Sequence, residues 1–555
     1  MKKQVLILLM AVATVGWSQR YVSEVFSNFT VTSDVTIGTN IDFLTSDFSN
    51  QAQVATDVTA IKTALATGQS IPAHFFDPTD PTSDVKVTNV KMDVYEPMGD
   101  TMTKRPAVLL LHTGNFLPPR VNGGILGTKT DSTMIVAARK LARRGFVAIT
   151  LEYRLGWNPL SPSEFARRAQ LLNAVYRAIH DAKQCVRVLK DDAVNANTYG
   201  IDPNKISLYG SGSGGYVALA YATLDKWAEV RLNKFLNPQT GNSVVDSNQV
   251  GNLEGFGGLL NLYGKNGQNS DIELVINTGG ALADTSWLEA GDPPMISFQA
   301  VRDPFAPYDE GTVVVPTTNG DVVDVQGANV FIDKANQLGN QASLNSASFT
   351  DPISQVARSR YGRTIPYIFP APFDQITINT NLEGHFPVIK PLPPDPTDLF
   401  ANQGAPWQWW DPNGPIASDT LDPGPPVITY HMAGLNSNPG MSPQQGRAYL
   451  DTILGYAAPR MAASLNLTIG LDEPTLAGKV STFPNPVSDM LNIDISEPEI
   501  ELEKAQITDI TGKMVREIAL DRKQSQIDLS SLNTGVYIIK IYANEGVLIQ
   551  RMVKK

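Results

Sequence analysis

The chain is poor in cysteine and in positive charge. It has one cysteine, Cys185, among 555 residues, which excludes an internal disulfide framework. Cys185 lies in a stretch with helical spacing, so we expect it to be buried and unreactive. The formal net charge is −11, so we expect no binding to nucleic acid. No cluster of residues has metal-ligand spacing, and we expect neither a metal nor an organic cofactor.

Long apolar runs are missing after the first twenty residues. At the start, Lys2 and Lys3 precede an apolar run over residues 5–13, and the small residues Gly16 and Ser18 suit cleavage before Gln19. Such a run is too short to span a bilayer comfortably. Residues 1–18 are therefore predicted to be a secretory signal peptide.

Apolar strands alternate with amphipathic helices through the middle of the chain. This alternation predicts an α/β fold with a doubly wound, mostly parallel sheet and helices on both faces. Functional sites in such sheets lie at the carboxyl ends of the strands. The predicted strands are 90–95, 107–111, 146–151, 206–209 and 294–299, and the predicted helices are 51–67, 132–144, 163–191 and 444–465.

Composition divides the rest of the chain. Residues 19–84 are predicted to be an N-terminal extension, irregular outside its one helix, and residues 85–470 the main domain. Residues 304–428 are rich in Pro, Gly and aromatic residues, and we interpret them as large insertions over the upper edge of the sheet. Their tryptophans, within 406–412, could bind a ligand or pin a long loop, and pinning is favoured. A linker over 471–478 leads to a small all-β sandwich over 479–555.

The most informative stretch is the glycine-rich turn over residues 210–215, which follows a predicted strand and precedes a predicted helix. It has the pattern of a nucleophile elbow, in which small residues stand two before and two after the nucleophile. In one register Ser213 is the nucleophile, flanked by Ser211 and Gly215. In the other the tip is Gly212 and no nucleophile is present. A turn without chemistry also fits the pattern, so both registers stay open.

The C-terminal segment resembles the type A sorting domain of the type IX secretion system of Bacteroidetes. The resemblance implies Sec export followed by passage across the outer membrane, with the secretion machinery as partner. It also implies cleavage of the domain, with release of the protein or attachment to surface polysaccharide. The motifs that carry it, in order, are Phe483-Pro-Asn-Pro486, Ile510-Thr-Gly-Lys513, Ile527-Asp-Leu529, Leu532-Asn-Thr-Gly-Val-Tyr537 and Met552-Val-Lys-Lys555.

Residues 85 to about 465 resemble the carboxylesterase and lipase branch of the α/β-hydrolase family. The resemblance implies that the loop after His112 supplies oxyanion-hole amides, and it puts the elbow tip at Gly212, where the family has serine. The stretches that carry it are Arg105-Pro-Ala-Val-Leu-Leu-Leu-His-Thr-Gly114, Gly145-Phe-Val-Ala-Ile-Thr-Leu-Glu-Tyr-Arg154, His180-Asp181 and Tyr199-Gly-Ile-Asp-Pro-Asn-Lys-Ile206.

Acyl transfer also needs a base and a group that orients it. Asp303 stands at the family's acid position, although an aspartate in a turn before proline is common. Of the five histidines, His385 has the preceding glycine of a family base loop, and His431 is the second candidate. Either histidine could be structural instead.

The oxyanion loop departs from the family, because Thr113 interrupts the usual run of glycines. The amides of Thr113 and Gly114 could still point inward, with Gly214 as the second donor in the Ser213 register. Two hypotheses follow. One is a serine esterase that acts on a small ester through Ser213; the other, which we favour, is a binding or structural protein with a degenerate elbow.

Overall fold

The computed structural model describes residues 20–314, 320–367, 374–392, 402–467, 476, 479–509, 514–521, 525–544 and 546–555. The chain divides into two compact units, one over Tyr21–Leu467 and one that contains Thr468–Lys555. The predicted signal peptide lies outside the described residues, as does all of the predicted linker except Leu476. Within the described residues, no helix is both long enough and apolar enough to cross a membrane.

The larger unit is built around an eight-stranded sheet of order β1-β2-β4-β3-β5-β6-β7-β12. The remaining strands form three small two-stranded ribbons. The strands described in this unit are β1 (Phe29–Asp42), β2 (Lys86–Pro97), β3 (Arg105–Leu111), β4 (Val147–Glu152), β5 (Ile201–Ser211), β6 (Leu274–Thr278), β7 (Met295–Ala300), β8 (Glu310–Val314), β9 (Asp321–Gln326), β10 (Thr364–Tyr367), β11 (Asp374–Thr377), β12 (His385–Val388), β13 (Thr420–Asp422) and β14 (Ile428–Thr429).

Helices of very different length connect these strands. The predicted helices at 51–67, 132–144, 163–191 and 444–465 are present with small shifts of their ends. Four short 3₁₀ helices lie at Ala73–Phe76, Glu229–Arg231, Asn233–Phe235 and Thr285–Trp287. The α-helices are α1 (Gln51–Ala66), α2 (Ser132–Ala142), α3 (Glu164–Val194), α4 (Ser213–Thr223), α5 (Ser247–Val250), α6 (Ala328–Gln337), α7 (Ala342–Ser346), α8 (Pro352–Arg358), α9 (Tyr430–Ser437) and α10 (Pro443–Ser464).

The sheet is mostly parallel. Strands β4, β3, β5, β6, β7 and β12 run parallel to one another, while β2 pairs antiparallel with both β4 and the edge strand β1. Successive residues of a strand face opposite sides of the sheet. Leu109 and Leu111 accordingly belong to the core on the side of α3 and α4, whereas Val108 and Leu110 belong to the core on the side of α2 and α10. The predicted doubly wound α/β fold is confirmed.

Two parts of the predicted organisation differ from the structure. Residues 29–42 form the edge strand β1 rather than an irregular segment, and its Thr-rich sequence fits a strand that keeps much of one face in solvent. The segment interpreted as insertions contains α6, which packs on β7, and β12, which completes the sheet. Strand β12 has only four residues, one of them Pro387, so it carries almost no strand pattern.

The smaller unit is all β, as predicted. A three-stranded sheet of order β15-β16-β19 and a four-stranded sheet of order β18-β17-β20-β21 enclose one apolar core. Strands alternate buried and partly buried residues, as in β20. The strands are β15 (Val480–Phe483), β16 (Met490–Ile495), β17 (Leu502–Asp509), β18 (Met514–Ala519), β19 (Gln526–Asp528), β20 (Gly535–Ala543) and β21 (Gly546–Lys554).

Candidate active site at the carboxyl ends of the strands

The glycine-rich turn joins β5 directly to α4. Gly212 stands between them with φ +53° and ψ −118°, a backbone conformation that side-chain-bearing residues rarely adopt. Its N–H donates to the carbonyl of Thr278 at 2.8 Å, which ties the turn to the end of β6. Ser213 is the first residue of α4. The strained position of the turn is therefore residue 212.

Close backbone contacts explain the glycines on either side. A Cβ on Gly210 would lie 2.6 Å from the Cα of Gly215, and a Cβ on Gly214 would lie 2.6 Å from the carbonyl oxygen of His112. Both distances are shorter than real contacts of a Cβ atom, so both positions require glycine. These two residues stand two before and two after Gly212, which is the spacing of a nucleophile elbow centred on residue 212.

Thr113 fills the space beside Gly212. A Cβ on Gly212 would overlap the hydroxyl of Thr113 and lie 3.0 Å from its Cβ. The threonine belongs to the loop after β3, which in the resembled family is glycine-rich. The side chain that fills this space therefore belongs to Thr113 of the loop, whereas in the resembled family it belongs to the residue at the tip of the turn.

The hydroxyl of Ser213 is turned to the same loop. Its Oγ accepts a hydrogen bond from the backbone N–H of Asn115 at 3.1 Å and lies 3.5 Å from the hydroxyl of Tyr153. Ser213 is 6% exposed. The bond from Asn115 occupies one lone pair of this hydroxyl and engages an amide that would itself be a candidate oxyanion donor.

The loop that carries Thr113 is held in an unusual shape. Gly114, Asn115 and Phe116 all have positive φ, at +118°, +54° and +58°. The indole of Trp157 donates to the carbonyl of Asn115 at 2.7 Å. Thr113 and Gly114 line the cavity described below, whereas Gly214, the predicted second donor, is packed under the end of β3 and does not line it.

His112 supports this loop from below. Its ring is fully buried, stacks on Tyr153 with centroids 4.3 Å apart, and places Nε2 3.5 Å from a carboxylate oxygen of Glu152. Burial opposes the charged imidazole, yet the carboxylate of Glu152 holds the pKa of His112 above its usual value. The hydroxyl of Tyr153 donates to the carbonyl of His112 at 2.8 Å. His112 therefore acts on the site through the shape of the loop.

Asp303 lies beyond the end of β7, near the turn. Its Oδ1 accepts hydrogen bonds from the backbone N–H groups of Phe305 at 2.8 Å and Ala306 at 3.1 Å. Burial raises the pKa of Asp303 to about 7, although these two donors and the nearby ammonium of Lys390 favour the ionised form. Asp303 lines the same cavity as Gly212 and Ser213.

His385 is not brought to Ser213 or Asp303. It begins β12, at the far edge of the sheet from β1, where Nε2 is 2.9 Å from the Tyr308 hydroxyl and Nδ1 is 3.0 Å from the Ser297 carbonyl. Two strands separate β12 from β5, and three strand spacings amount to about 14 Å. Burial lowers the pKa of His385 to about 3, so its imidazole is neutral.

The second candidate base has another partner. The Nδ1 of His431, on α9, accepts a hydrogen bond from the indole of Trp410 at 3.2 Å. All five histidines of the chain lie in described residues. No hydrogen bond or ion pair among these residues joins a histidine side chain to Ser213 or to Asp303. His74 and His180 are remote from the turn, on a 3₁₀ helix and inside α3.

A cavity of about 530 Å³ opens over the turn, within the range of pockets that bind small molecules. Thr113, Asn115, Ser213 and Asp303 supply part of its polar lining, while α3, α4 and the β8–β9 hairpin supply mainly apolar residues. Of the tryptophans at 407–410, two are packed in the core beside α10, and Trp410 lines the cavity. The tryptophan segment both pins a loop and shapes the cavity.

Asn115, Tyr153 and Lys390 belong to the site but were not singled out from the sequence. Asn115 follows the oxyanion loop, and Lys390 follows β12, so position after a strand end was the available signal. In the described part of the chain, no group of three or more His, Cys, Asp or Glu residues could hold a metal ion.

Comparisons with known proteins agree with the two-unit organisation. Residues 92–315 match the family model described as BD-FAE, and residues 481–555 match the secretion system C-terminal sorting domain. The second match indicates type IX secretion and a secreted or cell-surface location. No curated protein matches the sequence.

Solved structures of Thermogutta terrifontis esterase 2 are similar to this chain over a limited part. The form phosphorylated by paraoxon is 18% identical with a TM-score of 0.27, and the alignment covers 40% of this chain and 69% of that chain. The apo form is 17% identical with a TM-score of 0.27, covering 40% and 70%. Similarity at this level carries no information on activity, which depends on the geometry of the site.

Proposed function

From a chain that carries an α/β-hydrolase-like BD-FAE domain and a type IX secretion sorting domain, we propose a secreted or cell-surface binding protein with a degenerate nucleophile elbow. The cavity over the turn would bind a small, largely apolar molecule without forming a covalent intermediate. Conventional ester hydrolysis would be weak or absent.

The observation that carries this proposal is the pair formed by Gly212 and Thr113. The strained backbone of the elbow falls on a residue without a side chain, and the side chain of Thr113 occupies the adjacent space. A serine at position 212 would overlap that side chain. The two residues are therefore matched to each other, and a serine at position 212 would require the side chain of Thr113 to shift.

The placement of the remaining polar groups supports the same proposal. A nucleophilic serine needs a base within about 3 Å. Among the described residues no histidine side chain hydrogen-bonds to the Ser213 hydroxyl, which accepts from Asn115. Asp303, the predicted acid, accepts from two backbone N–H groups, and no histidine side chain contacts its carboxylate among the described contacts. The active alternative, with Ser213, His385 and Asp303, would need His385 to cross two strands of the sheet.

Labelling with a fluorophosphonate tests the proposal. The purified mature protein and its Ser213→Ala variant are incubated with the probe, and each is assayed with short p-nitrophenyl esters. We expect no label and no hydrolysis above the Ser213→Ala background. Labelling that disappears in Ser213→Ala, together with ester turnover, would establish a serine esterase that acts on small esters and would overturn the binding function.

We also propose the route of export. Residues 1–18 would direct the chain through Sec, and residues 479–555, after a linker over 471–478, would engage the type IX machinery of a Bacteroidetes-like cell. Attachment to surface polysaccharide would then hold the protein at the cell surface. Removal of residues 479–555 should leave the protein in the periplasm, as measured by fractionation and by protease accessibility on intact cells. Surface display of the truncated chain would contradict this route.

A further inference from the structure

The described side chains that line the cavity over the turn include an acidic group without a basic partner. The lining combines apolar and aromatic side chains with uncharged polar groups. Among the described residues that line the cavity, Asp303 is the only acidic side chain, and none is basic. A carboxylate that faces an apolar cavity without a cationic side chain in the same lining is costly unless something pairs with it.

The two oxygens of Asp303 have different surroundings. Oδ1 accepts from two backbone N–H groups. Oδ2 has no hydrogen-bond donor among the described residues, and it lies beside Gly279, which also lines the cavity; a Cβ on Gly279 would be 3.7 Å from it. One oxygen therefore anchors the side chain, and the other is left for a donor in the cavity.

Two titratable groups face Asp303 from neighbouring elements. The ammonium of Lys390 donates to the carbonyls of Gly404 at 3.1 Å and Ser437 at 3.4 Å and forms no ion pair with Asp303. Tyr216, on α4, donates its hydroxyl to the carbonyl of Phe305 at 3.3 Å. Neither group occupies Oδ2, and Lys390 lies outside the lining of the cavity.

We propose that the cavity binds an organic amine whose ammonium donates to Oδ2 of Asp303 and whose apolar body lies among the side chains of α3 and α4. The proposal rests on the non-catalytic binding function above and names its ligand class. A charge-assisted hydrogen bond in a cavity with little water is strong. Trp157 and Trp410 line the same cavity, and indole rings favour a neighbouring cation.

An apolar body fits the rest of the lining. Several aliphatic and aromatic residues from α3, α4 and the following segment form it, including Leu172, Val175, Leu224, Phe235 and Trp287. These side chains offer no hydrogen bond to a second charged group. An anionic ligand of the same size would meet the carboxylate of Asp303 without a compensating cation in the lining, so we expect acids to be excluded.

The titration of Asp303 should make the affinity for an amine depend on pH. Burial raises the pKa of Asp303 to about 7, so the carboxyl is mostly protonated below that pH. An amine needs the ionised form, and its affinity should rise up to tenfold per pH unit as the pH increases toward about 7. An uncharged ligand gains nothing from this ionisation.

Isothermal titration calorimetry with three probes of one skeleton tests the inference. Phenylbutylamine, phenylbutanol and phenylbutyrate are titrated into the mature full-length protein at about pH 8 and about pH 5.5, on either side of the Asp303 pKa. We expect the amine to bind at least tenfold more tightly than the alcohol at the higher pH, to lose this advantage at the lower pH, and the acid to bind weakest.

Asp303→Asn removes the charge and keeps an acceptor for the two backbone donors. It should abolish the preference for the amine, so that amine and alcohol bind the variant with similar affinity at both pH values. Asp309→Asn is the matched control, because Asp309 is also a partly buried aspartate with a raised pKa but does not line the cavity. It should keep the preference for the amine. If Asp303→Asn does not fold, the pH dependence of the preference for the amine over the alcohol in the wild-type protein tests the role of Asp303.

The outcomes separate this inference from the proposed function. Equal affinity for the amine and the alcohol at both pH values would overturn the assignment of an amine as the ligand, while the proposed binding function would still stand. An amine preference that survives in Asp303→Asn would overturn the role of Asp303. Covalent labelling of Ser213 would overturn the proposed function itself, whatever the three probes do.

Discussion

Restoring a serine at the elbow should fail unless Thr113 is removed as well. In Gly212→Ser the new Cβ would overlap the Thr113 hydroxyl and lie 3.0 Å from the Thr113 Cβ. Thr113 is β-branched and cannot move far without leaving its rotamer. Overpacking of this kind costs about 1–3 kcal/mol, and a side chain at φ +53° costs about 1–3 kcal/mol more.

The pair Thr113→Gly/Gly212→Ser removes the overlap and keeps the backbone strain. The double variant should therefore recover about 1–3 kcal/mol relative to the sum of the two single variants. Urea denaturation followed by tryptophan fluorescence measures this coupling. Apart from Trp17 in the predicted signal peptide, every tryptophan lies between residues 157 and 410, so the signal reports on the larger unit alone.

The matched single variants give the control and the refutation. Thr113→Gly alone should lose only the modest packing of one partly buried side chain. If Gly212→Ser is as stable as the wild type, or if the double variant shows no coupling, Thr113 does not compete for the space of an elbow side chain. The steric argument for the proposed degenerate elbow would then be wrong.

Three further predictions concern single groups of the site. Because burial raises the pKa of Asp303 from 3.8 to about 7, the free energy of unfolding should fall as the pH rises through this window. At about pH 8, Asp303→Asn should be more stable to urea than the wild type by up to about 4 kcal/mol, and the difference should vanish below about pH 4. A constant difference across pH would contradict the buried carboxylate. Ser213→Ala should lower the free energy of unfolding by about 1–2 kcal/mol, because it leaves the N–H of Asn115 without its acceptor. Hydrogen exchange of the Asn115 amide should also become faster in this variant, and an unchanged exchange rate would show that this hydrogen bond is not made. Burial lowers the pKa of His385 to about 3, so its imidazole signals should not titrate by NMR between about pH 5 and pH 8, and a midpoint near the usual value would show that the ring is open to solvent.

Most of the fold could be predicted because its signals are local. Buried parallel strands are continuous apolar runs, and the long helices carry clear periodicity and caps, such as Ser163 before α3. Strands β1 and β12 were missed for opposite reasons. Strand β1 is Thr-rich and lies at the sheet edge, and β12 has only four residues, one of them a proline. Both are identified as strands by their pairing with β2 and β7, which has no local sequence signal.

The site could be located but not assembled from the sequence. The turn over 210–215, the loop after β3 and Asp303 were all found, since each follows an apolar strand. The base could not be placed, because a glycine before His385 says nothing about which strand carries the histidine or what its ring contacts. His385 is held by Tyr308 and Ser297, and neither contact has a local signal.

The sequence by itself determined the C-terminal sorting domain, the α/β class, the small β unit and the position of the glycine-rich turn, because short motifs and hydrophobic period carry that information. Only the tertiary structure decided which residue of the turn bears the strained backbone and what lies beside it. Backbone dihedrals in a glycine-rich turn are set by packing. Here the packing partner is Thr113, about a hundred residues away in the chain, across the gap between two parallel strands.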